Sequence, residues 1–348
     1  MLKKITLRQV LQYLFFLGIA VALFYMVVQK LEWDQFEARL HEVDYTWVWV
    51  SVIAALVSHY ARAHRWTLVL KPLGHNARVF PTFLAVMIGY VSNLLFPRLG
   101  EVARCGFVST KEDIPLPHTI GSVLAERALD LVIMLMVVAA ALFFEFPRLK
   151  AFIDELFADG SRFDSTMLWW ALGLGILLAV ASVYLFYKIY HPRLKTKGWY
   201  AKFLTLLSDV KDGLLSIGKV KEQGWFWFDT IIIWVMYYIM TYVIVFTLPQ
   251  TAEINFLAGL SILAMGSIGM AAPVQGGIGT YHWLVTGTLI AYGASEPDAA
   301  FLAILLHSSQ TLMVVVVGLV SLYISTRIPS KKVAETEATL TPQADNLS

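Results

Sequence analysis

The sequence predicts an all-α polytopic membrane protein, and three observations support this prediction. Hydrophobic residues make up 58% of the 348 residues and charged residues only 15%, a balance that is not typical of a soluble domain of this length. Apolar runs of about twenty residues recur along the chain, which is the length that a helix needs to cross a bilayer. Lysines and arginines concentrate between particular runs, as they do in cytoplasmic loops. We predict about six full spans and two broken, re-entrant elements.

The first two spans set the predicted orientation. The run 9–28 follows a basic N-terminus and lacks a small-residue cleavage site, so we interpret it as a span and not as a signal peptide. The segment 30–45 carries five acids, whereas 62–78 carries no acid and four basic residues, namely Arg62, Arg65, Lys71 and Arg78. This asymmetry predicts a cytoplasmic N-terminus, an outer 30–45 segment and a cytoplasmic 62–78 segment.

A basic segment in the middle of the chain predicts the orientation of the neighbouring span and loop. Residues 188–221 hold eight basic residues and two acids, which predicts a cytoplasmic location. The span 166–187 therefore starts outside, and we predict that 145–165 before it is an outer loop. Within the basic segment, apolar residues recur at helical intervals between lysines over 198–221. We predict an amphipathic helix there, on the cytoplasmic leaflet.

This topology requires a re-entrant element in the first half. Because 62–78 and 145–165 are predicted on opposite sides, an odd number of crossings must lie between them, yet two apolar stretches occupy that interval. We predict that 79–116 enters from the cytoplasm, breaks near Pro97 and returns, whereas 119–144 spans the bilayer. Irregular backbone at membrane depth is tolerated where protein or a water-filled cavity covers it.

The second half presents the same pattern. A span over 226–248 precedes the apolar run 256–272, which ends at Pro273 and a glycine-rich loop. The next apolar piece, 283–293, is too short to span comfortably, and a final span covers 299–326. A second re-entrant element that breaks at the glycines satisfies the topology, although three crossings would also satisfy it.

Corresponding breaks indicate an inverted-topology repeat within a single integral membrane domain over 1–330. Pro97-x-x-Gly100 and Pro273-x-x-Gly276 occupy matching places in the segments 1–145 and 166–327. Interrupted hydrophobic segments at corresponding positions point to the substrate site of a transporter. Coincidental placement of proline and glycine is the alternative. The polar tail 331–348 is predicted to be disordered.

The charged residues after Pro97 predict an anion site. Arg98, Glu101 and Arg104 recur at three-residue spacing, so a helix places them on one face. Proline suits the first turn of a helix, and the N-terminus of a helix attracts anions. The alternative is a charged loop whose arginines reach the membrane surface.

A second charged group lies inside the longest apolar run. Glu126 and Asp130 share a helix face at i,i+4 spacing, and Arg127 can pair with Asp130 at i,i+3. Ionisable residues within a span are costly and usually face a polar pathway. These residues either mark such a pathway or form ion pairs that clamp the helix to Arg98 or Arg104, and the two roles are compatible.

The glycine-rich loop is the third candidate element. Three of its residues allow backbone amides to approach a ligand closely: Gly276, Gly277 and Gly279. His282 follows and could titrate near neutral pH, although a lone histidine more often forms a structural hydrogen bond. His307 and Gln310 lie on adjacent turns of the last span, where they either line the same cavity or join neighbouring helices.

Motifs for soluble-type catalysis are missing from the sequence. It contains no nucleophile elbow, no nucleotide-binding loop and no cluster with metal-ligand spacing. The single cysteine, Cys105, excludes a disulfide within the chain and any multi-cysteine metal site. We expect no cofactor, no metal and no nucleic-acid partner.

Three blocks together carry a family resemblance over about residues 5–327. In order they are Asn93…Pro97-Arg98-x-Gly100-Glu101-x-x-Arg104, Glu126-Arg127-x-x-Asp130 and Pro273-x-x-Gly276-Gly277-x-Gly279. They resemble the lysylphosphatidylglycerol synthase transmembrane-region family, also called flippase-like domain proteins. That family includes the membrane part of bacterial multiple peptide resistance factors, which make aminoacylated phosphatidylglycerol and move it to the outer leaflet. The chain departs from many members at Gln275 and His282, where they have a proline and an acid.

The resemblance implies a multi-pass protein of the bacterial inner membrane that binds and translocates a lipid. Its partners would be membrane lipids, either an anionic phospholipid or a polyprenyl or glycolipid carrier. Because the sequence ends at Ser348, we expect the aminoacyltransferase domain of the resistance factors to be absent. Relatives act in different lipid pathways, so the substrate does not carry over.

The predicted substrate site combines the three blocks. Arg98 and Arg104 would hold an anionic head group, and the acids would balance these arginines or bind a proton. The complete set is Asn93, Arg98, Glu101, Arg104, Glu126, Arg127, Asp130, Gly276, Gly277, Gly279 and His282. Two alternatives remain: a membrane enzyme that uses Glu126 or Asp130 as a base on a lipid-linked substrate, and a non-transporting scaffold for a separate lipid-modifying enzyme.

Overall fold

The computed structural model describes residues 33–95, 99–158, 217–272 and 274–331, and within these ranges the chain is helical and contains no β-strand. The described α-helices, in chain order, are α1 (Trp33–Glu42), α2 (Tyr45–Leu70), α3 (Val79–Leu95), α4 (Leu99–Glu112), α5 (Leu116–Ala158), α6 (Gln223–Tyr242), α7 (Phe256–Ala271), α8 (Thr280–Ala291) and α9 (Glu296–Ser325). The predicted all-α class is confirmed for this part of the chain.

Three described segments are long and apolar enough to cross a membrane. They are Leu116–Glu145 within α5, Gln223–Thr247, which continues α6 through a 3₁₀ turn, and α9. All three coincide with predicted spans. Helix α2 has 26 residues and is about 39 Å long, which is also enough to cross a bilayer, but its second half carries charged side chains.

Several predicted elements lie outside the described residues. They are the spans 9–28 and 166–187, nearly all of the amphipathic segment 198–221 and the tail from residue 332.

Polar caps begin several of these helices. The Asp44 carboxylate accepts a hydrogen bond from the Thr46 amide (2.9 Å) at the start of α2, and Asn255 caps α7 in the same way through the Ala258 amide. Ser295 caps α9, where it precedes a proline in the first turn. These caps satisfy amide groups that the helices leave without intrahelical partners.

Helices α3 and α4 form a tight antiparallel hairpin. Gly89 and Gly100 lie so close that a Cβ atom on Gly100 would be 2.1 Å from the Gly89 carbonyl oxygen. At the hairpin tip the Gly100 amide donates to Asn93 Oδ1 (2.7 Å), and at its base Arg78 pairs with Glu112 (2.9 Å). With 17 and 14 residues, the helices are about 25 and 21 Å long, shorter than the ~30 Å apolar core of a bilayer.

Helices α7 and α8 form a second hairpin of the same kind. Gly266 and Gly269 of α7 both contact Tyr281 of α8, and the Ser261 hydroxyl lies 2.9 Å from the Tyr292 hydroxyl at the other end. These helices have 16 and 12 residues, about 24 and 18 Å, and they are again too short to cross a bilayer. Each half of the chain therefore contains one short helical hairpin.

The glycine-rich loop of the second hairpin contacts the end of α3. A Cβ atom on Gly276 would lie 3.7 Å from Leu94 Cδ2, so the second loop rests against the end of α3. Helix α9 packs beside this junction, where Gly318 lies against Val91 and Met87. The inverted repeat and the domain boundaries stay predictions, and the predicted break at Pro97 lies outside the described residues.

Two sequence expectations differ from the structure. The segment 145–165 was expected to be a loop, yet α5 continues through Pro147 to Ala158. The strong helix formers that follow this proline account for the continuation. Arg62 and Arg65 were expected in a cytoplasmic segment, but both lie within α2 and are buried, so Lys71 and Arg78 alone support the predicted side of that segment.

The turn between α2 and α3 contacts the segment that follows α9. Lys331 donates to the Asn76 carbonyl (2.9 Å), and Lys111 at the base of the first hairpin donates to the Ile328 carbonyl (2.7 Å). These bonds join the α2–α3 turn and the first hairpin to the segment after the last helix of the described chain.

Acidification should weaken this turn through His75. Burial, with His118 and Lys331 nearby, lowers the pKa of His75 below its ordinary value of 6.5. Because the unfolded chain then binds the proton more readily, this contribution to stability is lost as the pH falls through about 6.5. We expect the purified protein to unfold at a lower temperature at about pH 5.5 than at about pH 7.5. The difference between the two midpoints should be smaller in His75→Gln.

His41→Gln is the matched control, because His41 is exposed on α1. It should keep the wild-type pH slope. Identical slopes in His75→Gln and wild type would contradict this account.

Gly100→Ala should open the first hairpin. The added methyl group would meet the Gly89 carbonyl and the Asn93 side chain, which costs about 1–3 kcal/mol or more of stability. Gly106→Ala in the same helix meets nothing within 4 Å and should be neutral or stabilising by up to ~1 kcal/mol. Thermal unfolding monitored by size-exclusion chromatography gives the midpoint of each variant. Equal midpoints for Gly100→Ala and Gly106→Ala would contradict the close packing at Gly100.

Candidate functional site

A buried ionic cluster lies where α2, α4 and α5 meet. We call it the arginine cluster and define it by Arg62, Arg65, Arg104, Glu126 and Asp130, each at most 9% exposed. Helix α2 supplies the first two, α4 supplies the third, and α5 supplies the two acids. Because the acids are one helical turn apart on α5 and the first two arginines one turn apart on α2, the two pairs face each other.

Arg62 lies at the centre of the cluster. Its Nη1 donates to Glu126 Oε1 (2.5 Å) and to Asp130 Oδ2 (2.7 Å), and its Nη2 donates to the Tyr237 hydroxyl of α6 (3.0 Å). Arg65 Nη2 donates to the other oxygen, Asp130 Oδ1 (2.7 Å). Asp130 therefore joins both arginines of α2, one through each carboxylate oxygen.

Arg104 lies in the same cluster but is not neutralised in the same way. Its Nη1 is 3.7 Å from Glu126 Oε2, which is too far for a hydrogen bond. Its Nε and Nη2 are buried without a hydrogen-bond partner among the described residues, and so is Glu126 Oε2. The Nε–Nη2 edge of a guanidinium carries two parallel N–H donors that match two oxygens of a phosphate or carboxylate.

Packing holds Arg104 in this position. Its guanidinium carbon lies 5.0 Å from the Trp66 ring centre, a cation–π arrangement. Trp66 is fully buried and is oriented by a hydrogen bond from Nε1 to the Ser122 hydroxyl (2.8 Å). Gly89 of α3 leaves room for the side chain, since a Cβ atom there would be 3.3 Å from Arg104 Cβ.

A fourth arginine pairs at the edge of the cluster. Arg127 Nη2 donates to Glu101 Oε1 (2.8 Å), which links α5 to α4. The Arg127 and Glu101 side chains are 41% and 33% exposed, so this pair contributes less to stability than the buried ones.

The charges of this site are only partly paired. Four guanidinium groups face three carboxylates, and a further carboxylate, Asp229, pairs with His64 beside Thr230, which accepts from Arg65. Buried charge is tolerated where partners or a polar cavity compensate it, and buried polar atoms without partners require an explanation. An anion that accepts from Arg104 would satisfy both conditions. No group of three described His, Cys, Asp or Glu residues is placed to hold a metal ion.

The predicted site residues around the first break do not all join the arginine cluster. Asn93 stabilises the tip of the first hairpin through the Gly100 amide and does not join the arginine cluster. Arg98 lies outside the described residues. The expected pairing of Arg127 with Asp130 is wrong, because Arg127 extends to α4 while Asp130 bonds the arginines of α2.

The loop glycines shape the second break. Gly276, Gly277 and Gly279 have φ angles of +60°, +70° and +84°, a region that side-chain-bearing residues rarely adopt. Gly277 also packs directly against Met270, where a Cβ atom would be 2.5 Å from the sulfur. These glycines are required by the turn itself, and their contact with a ligand stays a prediction.

His282 has a visible structural contact. It is buried, and its Nδ1 accepts from the Gly279 amide (3.3 Å) at the start of α8. Its ring centre lies 4.7 Å from that of His307 on α9. Gln310 donates to the Ser51 hydroxyl of α2 (2.9 Å), as the helix-joining alternative expects.

Sequence reasoning missed Arg62 and Arg65 as site residues. The apolar run Trp66–Leu70 continues after Arg65 without glycine or proline, which indicates that the helix extends beyond the arginines. Their i,i+3 spacing also complements the i,i+4 spacing of the two acids on α5. Basic residues near the end of a span are more often cytoplasmic, and this general rule obscured the signal.

Comparison with known proteins identifies one family. Residues 10–318 match the family described as "Lysylphosphatidylglycerol synthase TM region". No solved structure matches the chain.

Two curated proteins are similar. "Glycosyltransferase AglD" of Haloferax volcanii is 22% identical over 323 residues, which cover 86% of this chain and 52% of that protein. "UPF0104 membrane protein MJ1595" of Methanocaldococcus jannaschii is 28% identical over 135 residues, 38% of this chain and 39% of that protein. The chain thus spans about half or less of each relative.

Breaking the buried pairs should destabilise the protein strongly. Asp130→Asn leaves Arg62 and Arg65 buried with less compensation, and loss of one partner of a buried pair typically costs about 3–5 kcal/mol. Glu101→Gln removes the same charge from the partly exposed pair and should cost at most about 1 kcal/mol. Thermal midpoints in detergent measure both variants, and equal losses would contradict the assigned burial.

Proposed function

Since the chain belongs to the lysylphosphatidylglycerol synthase transmembrane-region family, we propose that it binds the anionic head group of a membrane lipid and moves that lipid between leaflets. The observation that carries this proposal is Arg104, a buried guanidinium with a donor edge that no described residue satisfies. A buried cation with two unused parallel donors is suited to a phosphate.

The two hairpins give this site its place in the membrane. We propose that α3–α4 enters from the cytoplasm, that α7–α8 enters from outside, and that their breaks meet near the middle of the bilayer. The shortness of all four helices and the contact between Gly276 and Leu94 support this arrangement. Broken helices that meet at the midplane form the substrate site in many transporters with inverted repeats.

The arginine cluster would operate by exchange of partners. A head-group phosphate accepts from the Nε–Nη2 edge of Arg104, while Glu126 and Asp130 keep Arg62 and Arg65 in place. When the lipid leaves, Arg104 turns back toward Glu126 Oε2, at present 3.7 Å away. Helix α4 carries Arg104, so this exchange links occupancy of the site to the first hairpin.

The cell context follows from the predicted topology and family. We propose a multi-pass protein of the bacterial inner membrane with about six full spans and a cytoplasmic N-terminus. The sequence carries no nucleotide-binding loop, so an ion gradient, the membrane potential or the lipid gradient would drive transport.

A membrane enzyme is the second candidate, and the relative named as a glycosyltransferase favours it. That candidate needs Glu126 or Asp130 as a base. Both acids already accept hydrogen bonds from arginines, so their oxygens are engaged within the protein and not directed at a substrate. This geometry supports lipid binding better than proton abstraction.

Arg104→Gln should lose the anionic lipid. Native mass spectrometry should show lipid binding weakened by about 10- to 100-fold, since charge-assisted hydrogen bonds are removed. Leaflet exchange of the lipid in proteoliposomes should slow accordingly. Arg98→Ala tests the neighbouring predicted ligand in the same assays. Lys71→Gln removes an equal charge from an exposed pair and should bind like wild type.

Retention of one lipid class by wild type and its loss in Arg104→Gln would support transport through this site. Turnover of a lipid without leaflet exchange would favour the enzyme. Unselective lipid in all variants would overturn the proposal.

A further inference from the structure

The second hairpin and the helix beside it carry almost no charge. The sequence has no Asp, Glu, Lys or Arg over 254–295, which covers α7, the glycine-rich loop and α8, and none over 299–326 of α9. His282 and His307 lie in these two stretches, and histidine is the side chain that ordinarily titrates between pH 5 and 8. Any charge that these stretches gain from their own side chains near neutral pH must therefore be a proton on one of the two imidazoles.

The hydrogen bond of His282 decides which of its nitrogens can take a proton. Its Nδ1 lies 3.3 Å from the Gly279 amide nitrogen, and a backbone N–H can only donate. Nδ1 is therefore the acceptor, and the proton of the neutral ring lies on Nε2. A second proton can bind only at Nδ1, where it would point at the Gly279 N–H. This bond must therefore break when the ring becomes a cation.

The same bond closes the glycine-rich loop of the second hairpin. Gly279 comes directly before α8, and His282 in the first turn of that helix bonds back to it. The Thr280 hydroxyl ties the loop to α7 through the Gly269 carbonyl (2.8 Å). Since Gly276 of this loop lies close to Leu94, a displacement of the loop also reaches the end of α3 in the first hairpin.

The closed position of His282 is unfavourable for a cation. The residue is 2% exposed and lies at the N-terminal end of α8, where the helix dipole is positive. His307 contacts it with ring centres 4.7 Å apart, and two cations at that distance would repel each other. We expect the two histidines to hold at most one proton, and a protonated His282 to leave its place in the loop.

The helices packed against α8 supply few other titratable groups. These helices are α7, α9 and α5, and α7 has no such side chain. Tyr281 precedes His282 on α8 itself. Helix α9 carries Glu296, Asp298, His307 and Tyr323, and the described titratable side chains of α5 are His118, Glu126, Arg127, Asp130 and Glu145. Glu126 and Asp130 are engaged by arginines of α2, and Asp298 pairs with Arg39. The two histidines are thus the groups best placed to respond to pH at this loop.

We propose that His282 is a proton-binding site, and that one proton on its Nδ1 releases the glycine-rich loop of the second hairpin. This inference rests on the proposed transport function where it assigns the energy source: a proton gradient drives the movement of the lipid. In each cycle a proton binds at His282 and breaks the bond to Gly279. When the proton leaves, the neutral ring closes the loop again.

Hydrogen–deuterium exchange of the full chain in detergent tests the release of the loop without any lipid. The exchange of a peptide that covers residues 275–283 is compared at pH 7.5 and pH 5.5, after correction for the intrinsic exchange rate of the amides. An imidazole in a polar surrounding titrates near about pH 6.5, so the population of the open loop should rise about tenfold over this range.

Variants assign this response to one residue. His282→Asn keeps a side-chain oxygen that can accept from the Gly279 amide but does not titrate in this range, so its loop exchange should not change with pH. His282→Gln is a second variant without a titrating group and should behave in the same way. His307→Phe keeps the ring contact and should retain the tenfold change. His41→Gln, which alters an exposed histidine of α1, should retain it too.

Two results would overturn the proton site. One is a wild-type loop whose exchange does not respond to pH. The other is a response that survives both His282→Asn and His282→Gln.

Leaflet exchange in proteoliposomes, with and without an imposed pH gradient, tests the energy source. Transport by wild type should accelerate under the gradient, and this acceleration should be lost in His282→Asn. A loop that opens at low pH in a protein whose transport ignores the gradient would overturn the proton as energy source, while the proposed function stands. Absence of leaflet exchange, with lipid binding that Arg104→Gln leaves unaltered, would overturn the proposed function, while the proton-linked release of the loop stands.

Discussion

The buried pairing of Arg62 with Glu126 and Asp130 is the interaction on which the rest of the site depends. Ionised groups within an apolar interior are costly unless their partners are held in good geometry. Here α2 and α5 supply that geometry from consecutive turns, so the two helices must keep a fixed register. The Tyr237 hydroxyl joins α6 to the same centre. The network thus fixes α2, α5 and α6 relative to one another through buried polar bonds, which hydrophobic packing alone would not provide.

Glycine contacts provide the complementary constraint at the two hairpins. Close approach at Gly89 and Gly100 lets α4 lie against α3, and this approach brings Arg104 to the ionic centre. The second hairpin uses Gly266 and Gly269 in the same way against Tyr281. The loop of the second hairpin rests against the end of α3, where Gly276 lies close to Leu94. The glycine contacts therefore determine how closely the helices approach, and with that the positions of the charged side chains.

Much of this arrangement could be predicted from the sequence. Apolar length and the break at Pro97 indicated the helical class and the first hairpin, and the spacing of Glu126 and Asp130 indicated an interior acidic face. The partners of those acids could not be predicted, because pairing between α2 and α5 depends on tertiary register and not on local spacing. The positive-inside rule misplaced Arg62 and Arg65 for the same reason, since it considers charge along the chain and ignores burial.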